Sequence, residues 1–269
     1  MSDEKVILPT LPENLELLFK EEEDIRVKSI LYINSIESLK DHLLLIHDSL
    51  NILFDLTIHF RPESDDEKTV QPLGIRLFNS TVCSLKLLLS GYYQISVSIQ
   101  RDILETGFLL DYFLSNPAKI SEWKHSNSTE RYREFKPANI RKALDNRDGF
   151  TNKKRKNIYQ MMCEYATHPS INSTQLIAPD GYAKIGAFYD ENYLKAVLEE
   201  LTLRAPLSII YYIRHFKNTP KEFIKPKIDF LNKLKKWFLK YRNVELADFD
   251  TESMKEWINQ IEKQTAANL

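Results

Sequence analysis

The sequence predicts an all-α, multi-helix bundle with one small β-hairpin inserted in it. Glycine accounts for only 6 of the 269 residues, against an average usage of about 7%, which disfavours β-barrels, glycine-rich phosphate loops and repeated tight turns. Several long segments repeat apolar residues at helical spacing. The chain is 43% hydrophobic and 11% aromatic, enough for a sizeable core. We therefore expect a flexible tail over residues 1–10 and a single helical domain over residues 11–269.

The first half of the chain alternates helical patterns with short polar breaks. Ser35 is a suitable N-cap for the second helix, and the acidic segment 61–68 is typical of a solvated loop. Pro117 should close the fourth helix, because proline cannot continue a helix interior. The pattern predicts four helices here, at about 11–25, 36–60, 73–90 and 91–116.

The helix predicted over Gly91–Asn116 is apolar almost all the way round, which is typical of a helix at the centre of a bundle. At 100° per residue, Arg101 and Glu105 share a face with Phe108. A charge on such a face must be paired or must serve a function, because an unpaired buried charge costs several kcal/mol or more. Arg101 and Glu105 therefore predict either a buried intrahelical ion pair or a site at which the guanidinium binds an anion or substrate.

The second half of the chain is less regular. Short helices are expected at about 117–125, 128–135 and 137–147, followed by a helix that Thr151 caps and that runs to about Thr167. The turn Pro179-Asp180-Gly181 lies between two short apolar or alternating runs and predicts the β-hairpin over about 174–189. Asp190 should cap a long helix to about Phe216, and basic amphipathic helices should fill residues 219–265.

His168 ends a predicted helix just before Pro169. One interpretation is a C-cap, since the helix dipole favours a cation there. The other places His168 over a cleft with Tyr159, Arg101 and Glu105, as an acid/base or ligand contact.

A run of four cations, Lys153, Lys154, Arg155 and Lys156, opens the helix before His168. Positive charge at a helix N-terminus opposes the macrodipole, so an anion nearby would explain the run. The alternative is a solvated surface that pairs with Asp145 and Asp148. We call residues 153–156 the basic patch.

Composition and motif searches narrow the function classes. The formal net charge is −1, so no global field attracts nucleic acid or an anionic membrane. The N-terminus lacks a secretory signal, and no apolar run approaches the ~20 residues of a membrane span. The two cysteines, Cys83 and Cys163, are expected to be core thiols of a cytoplasmic protein. Phosphate-loop, dinucleotide, nucleophile-elbow and zinc motifs do not occur, so no metal or cofactor is predicted.

Two short motifs resemble a known group of proteins. Tyr93 with Arg101-x-x-x-Glu105, and the later Ile-Tyr-x-x-x-Cys-Glu-Tyr-x-x-His-Pro-Ser over 158–170, are similar to uncharacterised, all-helical bacterial proteins of the HEPN-like and abortive-infection-like type. The resemblance covers about residues 73–170 and implies a HEPN-like helical fold. In HEPN ribonucleases, four to six residues separate an arginine from a following histidine on one helix. None of the 6 histidines here has that spacing, so ribonuclease activity is not implied.

The sequence thus predicts a non-catalytic helical binding or interaction protein, as a component of a bacterial defence or toxin–antitoxin system. A protein partner or a homo-oligomer is expected, with at most weak contact to RNA or a nucleotide and none to membrane. The alternative is a metal-independent nuclease or nucleotide-modifying enzyme that uses His168 with Arg101, Glu105 and Tyr159. Convergence of Arg101, Glu105 and His168 on one open polar cleft would favour the enzyme, and a pair Arg101–Glu105 sealed in a dry core would disfavour it.

Overall fold

A computed structural model describes residues 11–216 and 221–246. The predicted tail 1–10 and the end of the predicted basic helices, 247–265, lie outside these residues. The described part is all-α and contains ten α-helices, a π-helical turn at Cys163–Thr167 and a 3-10 helix at Asn172–Ile177. The α-helices, in chain order, are α1 Glu13–Ser35, α2 Glu37–Ile58, α3 Asp65–Leu89, α4 Tyr93–Ser115, α5 Ala118–His125, α6 Ser128–Phe135, α7 Pro137–Arg147, α8 Lys154–Met162, α9 Glu191–Ile213 and α10 Lys221–Arg242.

Helices α2, α3, α4 and α9 form the core, and α4 packs against both α3 and α9. Glycines bring three of these helices together. A Cβ built on Gly74 of α3 would lie 2.3 Å from the Tyr212 ring of α9, and one on Gly107 of α4 would lie 2.3 Å from Ser208 Oγ of α9. Only glycine leaves room for so close an approach. The prediction that the fourth helix is buried at the centre of the bundle is confirmed.

The outer helices cover this core from two sides. Helix α10 packs on α2, and its aromatic residues Phe223, Phe230 and Trp237 are buried. Trp237 Nε1 donates to His42 Nδ1 at 2.9 Å, and burial lowers the pKa of His42 to about 4, so this histidine is neutral inside the protein at pH 7. On the other side, α7, α8 and the π-helical turn pack on α4.

The predicted β-hairpin over 174–189 is wrong, because no strand occurs in the described part of the chain. The turn itself is present, since the Gly181 N–H donates to the Ala178 carbonyl at 3.2 Å. Its flanks do not form a ladder. The residues before the turn form the 3-10 helix. On the other side of the turn, the Phe188 N–H donates to the carbonyl of Gly91, which lies just before α4.

Two further expectations need correction. The helix that contains most of the basic patch begins at Lys154, and Lys153, in the left-handed conformation (φ 53°), takes the N-cap position in place of Thr151. Cys163 is buried as expected, but Cys83 is exposed.

Candidate functional site

The candidate site is built by α7 and α8, which pack side by side on one polar stripe of α4. Arg101, Glu105 and Asp111 of α4 lie along this stripe and meet side chains of α7 and α8. The short helices bury Ile140, Leu144 and Met162, and along this stripe they attach to the bundle through charged and aromatic contacts. We call this contact region the seam; Arg101 lies at one end of it and Asp111 at the other.

At the Arg101 end, the predicted ion pair is present but looser and more exposed than expected. Arg101 Nη2 lies 3.8 Å from Glu105 Oε1, and the two side chains are 24% and 22% exposed. The Arg101 guanidinium lies 5.4 Å from the centre of the Tyr159 ring, and its Nη1 is 3.6 Å from Cys163 Sγ. The expectation of a sealed, buried pair is therefore wrong, because α8 covers this face with polar groups and leaves part of it open.

Tyr159 is the centre of this end of the seam. Burial, followed by the Glu105 carboxylate, raises the pKa of the Tyr159 phenol, so the phenol is neutral at physiological pH. Its ring also lies under a second guanidinium, that of Arg141 on α7, at 3.7 Å from the ring centre. Two cations on one aromatic ring are each attracted to its π electrons.

His168 is not part of this cluster of contacts. Its side chain is exposed, and no hydrogen bond or ion pair links its ring to Arg101, Glu105 or Tyr159 among the described contacts. Its backbone N–H donates to the Cys163 carbonyl at 2.9 Å, and it is the C-cap residue of the π-helical turn. The arrangement favours the capping interpretation of His168 and brings together only three of the four residues of the enzyme hypothesis.

Two residues of the basic patch, Lys153 and Lys156, line a cleft between the end of α7 and the start of α8. This basic cleft has a volume of about 960 Å³ and is lined by Ala138, Arg141, Lys142, Asp145, Asn146, Gly149, Phe150, Thr151, Lys153 and Lys156. Lys142, Lys153 and Lys156 are exposed, and none of them pairs with a carboxylate in the ranges that the structure covers. The sole acidic lining residue, Asp145, accepts a hydrogen bond from Arg155 Nη1 at 2.9 Å and shares that guanidinium with Asp148. The lining of the cleft therefore carries one carboxylate against the four cations Arg141, Lys142, Lys153 and Lys156.

Arg141 is the residue of the basic cleft that the sequence analysis missed. Its side chain packs against Tyr159 and the residue is only 8% exposed. Its Nε and Nη1 are buried without a hydrogen-bond partner among the described residues. A guanidinium carries five N–H donors, and stacking on an aromatic ring satisfies none of them. Nothing in the local sequence separates Arg141 from its exposed neighbour Lys142, so only the packing of α7 identifies it.

Near the Asp111 end, the hypothesis that the basic patch pairs with Asp145 and Asp148 holds for one residue. Arg155 pairs with both aspartates, whereas Lys153, Lys154 and Lys156 form no such pair within the described ranges. Asp148 also accepts from Arg147 Nε at 2.6 Å. Burial alone would raise the pKa of Asp148, but its hydrogen bonds with Arg147 and Arg155 outweigh that effect and lower it.

Arg147 links this network to the bundle. It binds the buried Asp111 of α4 in a bidentate manner, with Nη1 to Oδ1 at 2.8 Å and Nη2 to Oδ2 at 3.0 Å. A second cleft of about 900 Å³ lies beside the pair. We call it the apolar cleft for its lining side chains Leu104, Phe108, Leu114, Ile158 and Leu207. The rest of its lining includes Phe150 and Tyr211, five cations (Arg147, Lys154, Arg155, Arg204 and Arg214) and two carboxylates (Asp111 and Asp148).

Comparison with known proteins assigns neither a family nor a function to the chain. No protein-family model matches the chain, and neither a curated protein nor a solved structure matches it. The HEPN-like and abortive-infection-like resemblance therefore stays a prediction. None of the described helices combines the length and apolarity needed to cross a membrane, and no cluster of three or more metal-ligating residues occurs among the described residues.

Proposed function

We propose that this chain is a non-catalytic helical binding protein that holds a phosphorylated anion in the basic cleft. The observation that carries the proposal is Arg141, whose guanidinium is buried in the wall of the cleft with two nitrogens unpartnered among the described residues. Leaving buried donors unsatisfied costs about 1–3 kcal/mol, more for a charged group. Both nitrogens are closed to solvent, but the guanidinium to which they belong carries a full positive charge, and an anion bound in the cleft would compensate that buried charge.

The surrounding charges support the same ligand. Lys142, Lys153 and Lys156 surround Arg141 in the wall of the cleft. The N-terminus of α8 adds backbone N–H groups that no side chain caps, and no acidic residue occupies its first turn. Unpaired N–H groups and the positive end of the dipole make such a terminus favourable for phosphate. An anion at this position also explains why the chain tolerates cations at the start of a helix.

The enzyme alternative has less support. It requires His168 to act with Arg101, Glu105 and Tyr159, and the ring of His168 is exposed without a hydrogen bond to any of the three in the described structure. The predicted protein partner or homo-oligomer and the defence or toxin–antitoxin role rest on sequence and resemblance alone, and stay predictions.

Isothermal titration of the full chain with sodium tripolyphosphate tests the proposal. The wild-type protein should bind at low salt. Its affinity should fall steeply as the salt concentration rises, because salt screens the ionic contacts with phosphate and opposes the release of counterions on binding. The double substitution Lys153→Glu/Lys156→Glu should abolish binding without lowering the melting temperature, since both side chains are exposed.

The matched control is Lys225→Glu/Lys236→Glu, which makes the same charge change at exposed positions on α10. This variant should bind tripolyphosphate as the wild type does. No binding at low salt by the wild type, or an equal loss in the α10 control, would refute a phosphate site in the basic cleft.

A further inference from the structure

The basic cleft and the apolar cleft share one wall. Phe150 follows α7 and lines both clefts. The residue is 38% exposed, so its ring can be reached from solvent. Lys154 Nζ and Arg155 Cζ lie 5.1 and 5.2 Å from the centre of its ring. A partly exposed aromatic ring with two cations beside it therefore stands between the basic cleft and a cleft that adds apolar surface.

We propose that the anion is a nucleotide whose phosphates occupy the basic cleft and whose base stacks on Phe150 and enters the apolar cleft. This inference rests on the proposed function, since it takes phosphate binding in the basic cleft as given. Each cleft, at about 960 and 900 Å³, falls within the ~300–1,000 Å³ range of small-molecule sites. A ligand with one polar and one flat apolar end would use both.

The lining of the apolar cleft distinguishes a nucleotide from other polyphosphates. Leu104, Ile158 and Leu207 supply apolar surface, which a sugar polyphosphate or an inorganic chain has no group to fill. A base has a π face that stacks on an aromatic ring, and base–aromatic stacking is sequence-tolerant because every base has that face. Lys154 lies beside Phe150 and lines the apolar cleft, so it adds charge where the sugar and first phosphate would pass.

The sequence was weakly informative about this arrangement. Phe150 lies between Gly149, which has a φ of 69°, and the turn that leads into the basic patch. Gly149 adopts a left-handed conformation that favours glycine, and its N–H donates to the Asn146 carbonyl at 3.3 Å. That reversal of the chain after α7 carries Phe150 to the ridge between the clefts.

Titrations of the wild type and of Phe150→Leu with ATP and with tripolyphosphate test the inference. Leucine keeps an apolar side chain but removes the aromatic ring. The wild type should bind ATP at least about tenfold more tightly than tripolyphosphate, and Phe150→Leu should lose about tenfold for ATP while leaving tripolyphosphate unchanged. The control Tyr182→Leu removes an aromatic residue that is 80% exposed on a different segment, and it should alter neither affinity.

The outcomes separate the two proposals. If tripolyphosphate binds but ATP gains nothing, or if Phe150→Leu weakens both ligands equally, the nucleotide inference is overturned and the anion site stands. If neither ligand binds, the proposed function fails as well. A six-residue oligothymidylate identifies the source of the nucleotide: binding that exceeds that of ATP and depends on Phe150 assigns a nucleotide within a strand, and binding no tighter than that of ATP assigns a free nucleotide.

Discussion

Arg147 and Asp111 form an ion pair whose two partners lie in different surroundings, so their removal should destabilise the protein unequally. The Asp111 side chain is 3% exposed, and that of Arg147 is 37% exposed. Replacing Arg147 with alanine strands the carboxylate. The next cation, Arg155 Nη2, lies 4.0 Å away and already serves Asp145 and Asp148. We expect Arg147→Ala to lower the free energy of unfolding by about 3–5 kcal/mol, the usual cost of an uncompensated buried charge.

The opposite substitution leaves a group that can adapt. In Asp111→Ala, Arg147 keeps its hydrogen bonds to Asp148 and reaches water on its exposed side. The lost charge-assisted hydrogen bonds are partly offset because a buried carboxylate no longer has to be desolvated. We expect a loss of about 1–2 kcal/mol.

Urea unfolding followed by far-ultraviolet circular dichroism at pH 7 measures both values, and an unchanged m-value would show that the comparison is sound. The double variant Asp111→Leu/Arg147→Ala is the control, because it removes the stranded charge and should be more stable than Arg147→Ala alone. Equal losses for the two single variants, or a larger loss for Asp111→Ala, would contradict the assignment of Asp111 as the buried partner.

Three other outcomes follow from single contacts. Burial lowers the pKa of Lys227 to about 7 from an ordinary value of 10.5, so between these pH values the unfolded chain binds more protons than the folded one. In urea titrations, the free energy of unfolding of the wild type, relative to that of Lys227→Met, should therefore rise by up to about 1.4 kcal/mol per pH unit from pH 7 to 10 and stay flat below pH 7. No change between pH 7 and 10 would contradict the lowered pKa of Lys227. Gly107→Ala should lower the free energy of unfolding by about 1–2 kcal/mol, because its Cβ would lie 2.8 Å from Ser208 Cβ and overpacking outweighs the gain in helix propensity. If the double variant Gly107→Ala/Ser208→Gly recovers none of this stability in urea unfolding, the clash with Ser208 is not the cause. Glu105→Ala should lower the free energy of unfolding by less than about 1.5 kcal/mol, because both side chains of the Arg101–Glu105 pair are partly exposed. A loss of about 3 kcal/mol or more in urea unfolding would show instead that the pair is buried.

Helix content and the central position of α4 could be predicted because both depend on local signals. Glycine scarcity and helical spacing are properties of short windows, and a helix that is apolar all round must be covered by others. The β-hairpin prediction was wrong because strand pairing, unlike helix formation, depends on contacts that are not local. The turn at Pro179–Gly181 has local sequence signals, but whether its flanks pair depends on what else competes for them, and Phe188 is held at Gly91, far away in sequence.

The burial of the Arg101–Glu105 pair and the partner of Asp111 could not be read from a helical wheel. A wheel gives the face of a side chain but not the group that covers it. Here the covering elements are α7 and α8, whose Arg147 and Tyr159 lie tens of residues further along the chain. Arg141 has no local sequence signal at all, because its burial arises from packing against Tyr159.

In the structure the basic patch is a better candidate for ligand binding than the charges of α4. The sequence alone ranks them in the opposite order. All four charges of α4 have partners: Arg101 with Glu105, Asp111 with Arg147, and Asp102 with Arg76 and Ser80 of α3. A charge that is already paired offers an incoming anion less, because binding must first break the existing pair. The basic patch gave a weaker signal in sequence, yet its lysines are unpaired in the described structure and lie beside a buried arginine with unsatisfied donors. Ligand binding is therefore better sought on α7 and α8. Arg101, Glu105 and Asp111 of α4 are better understood as part of the attachment that holds those two helices in place, and Asp102 as a link to α3.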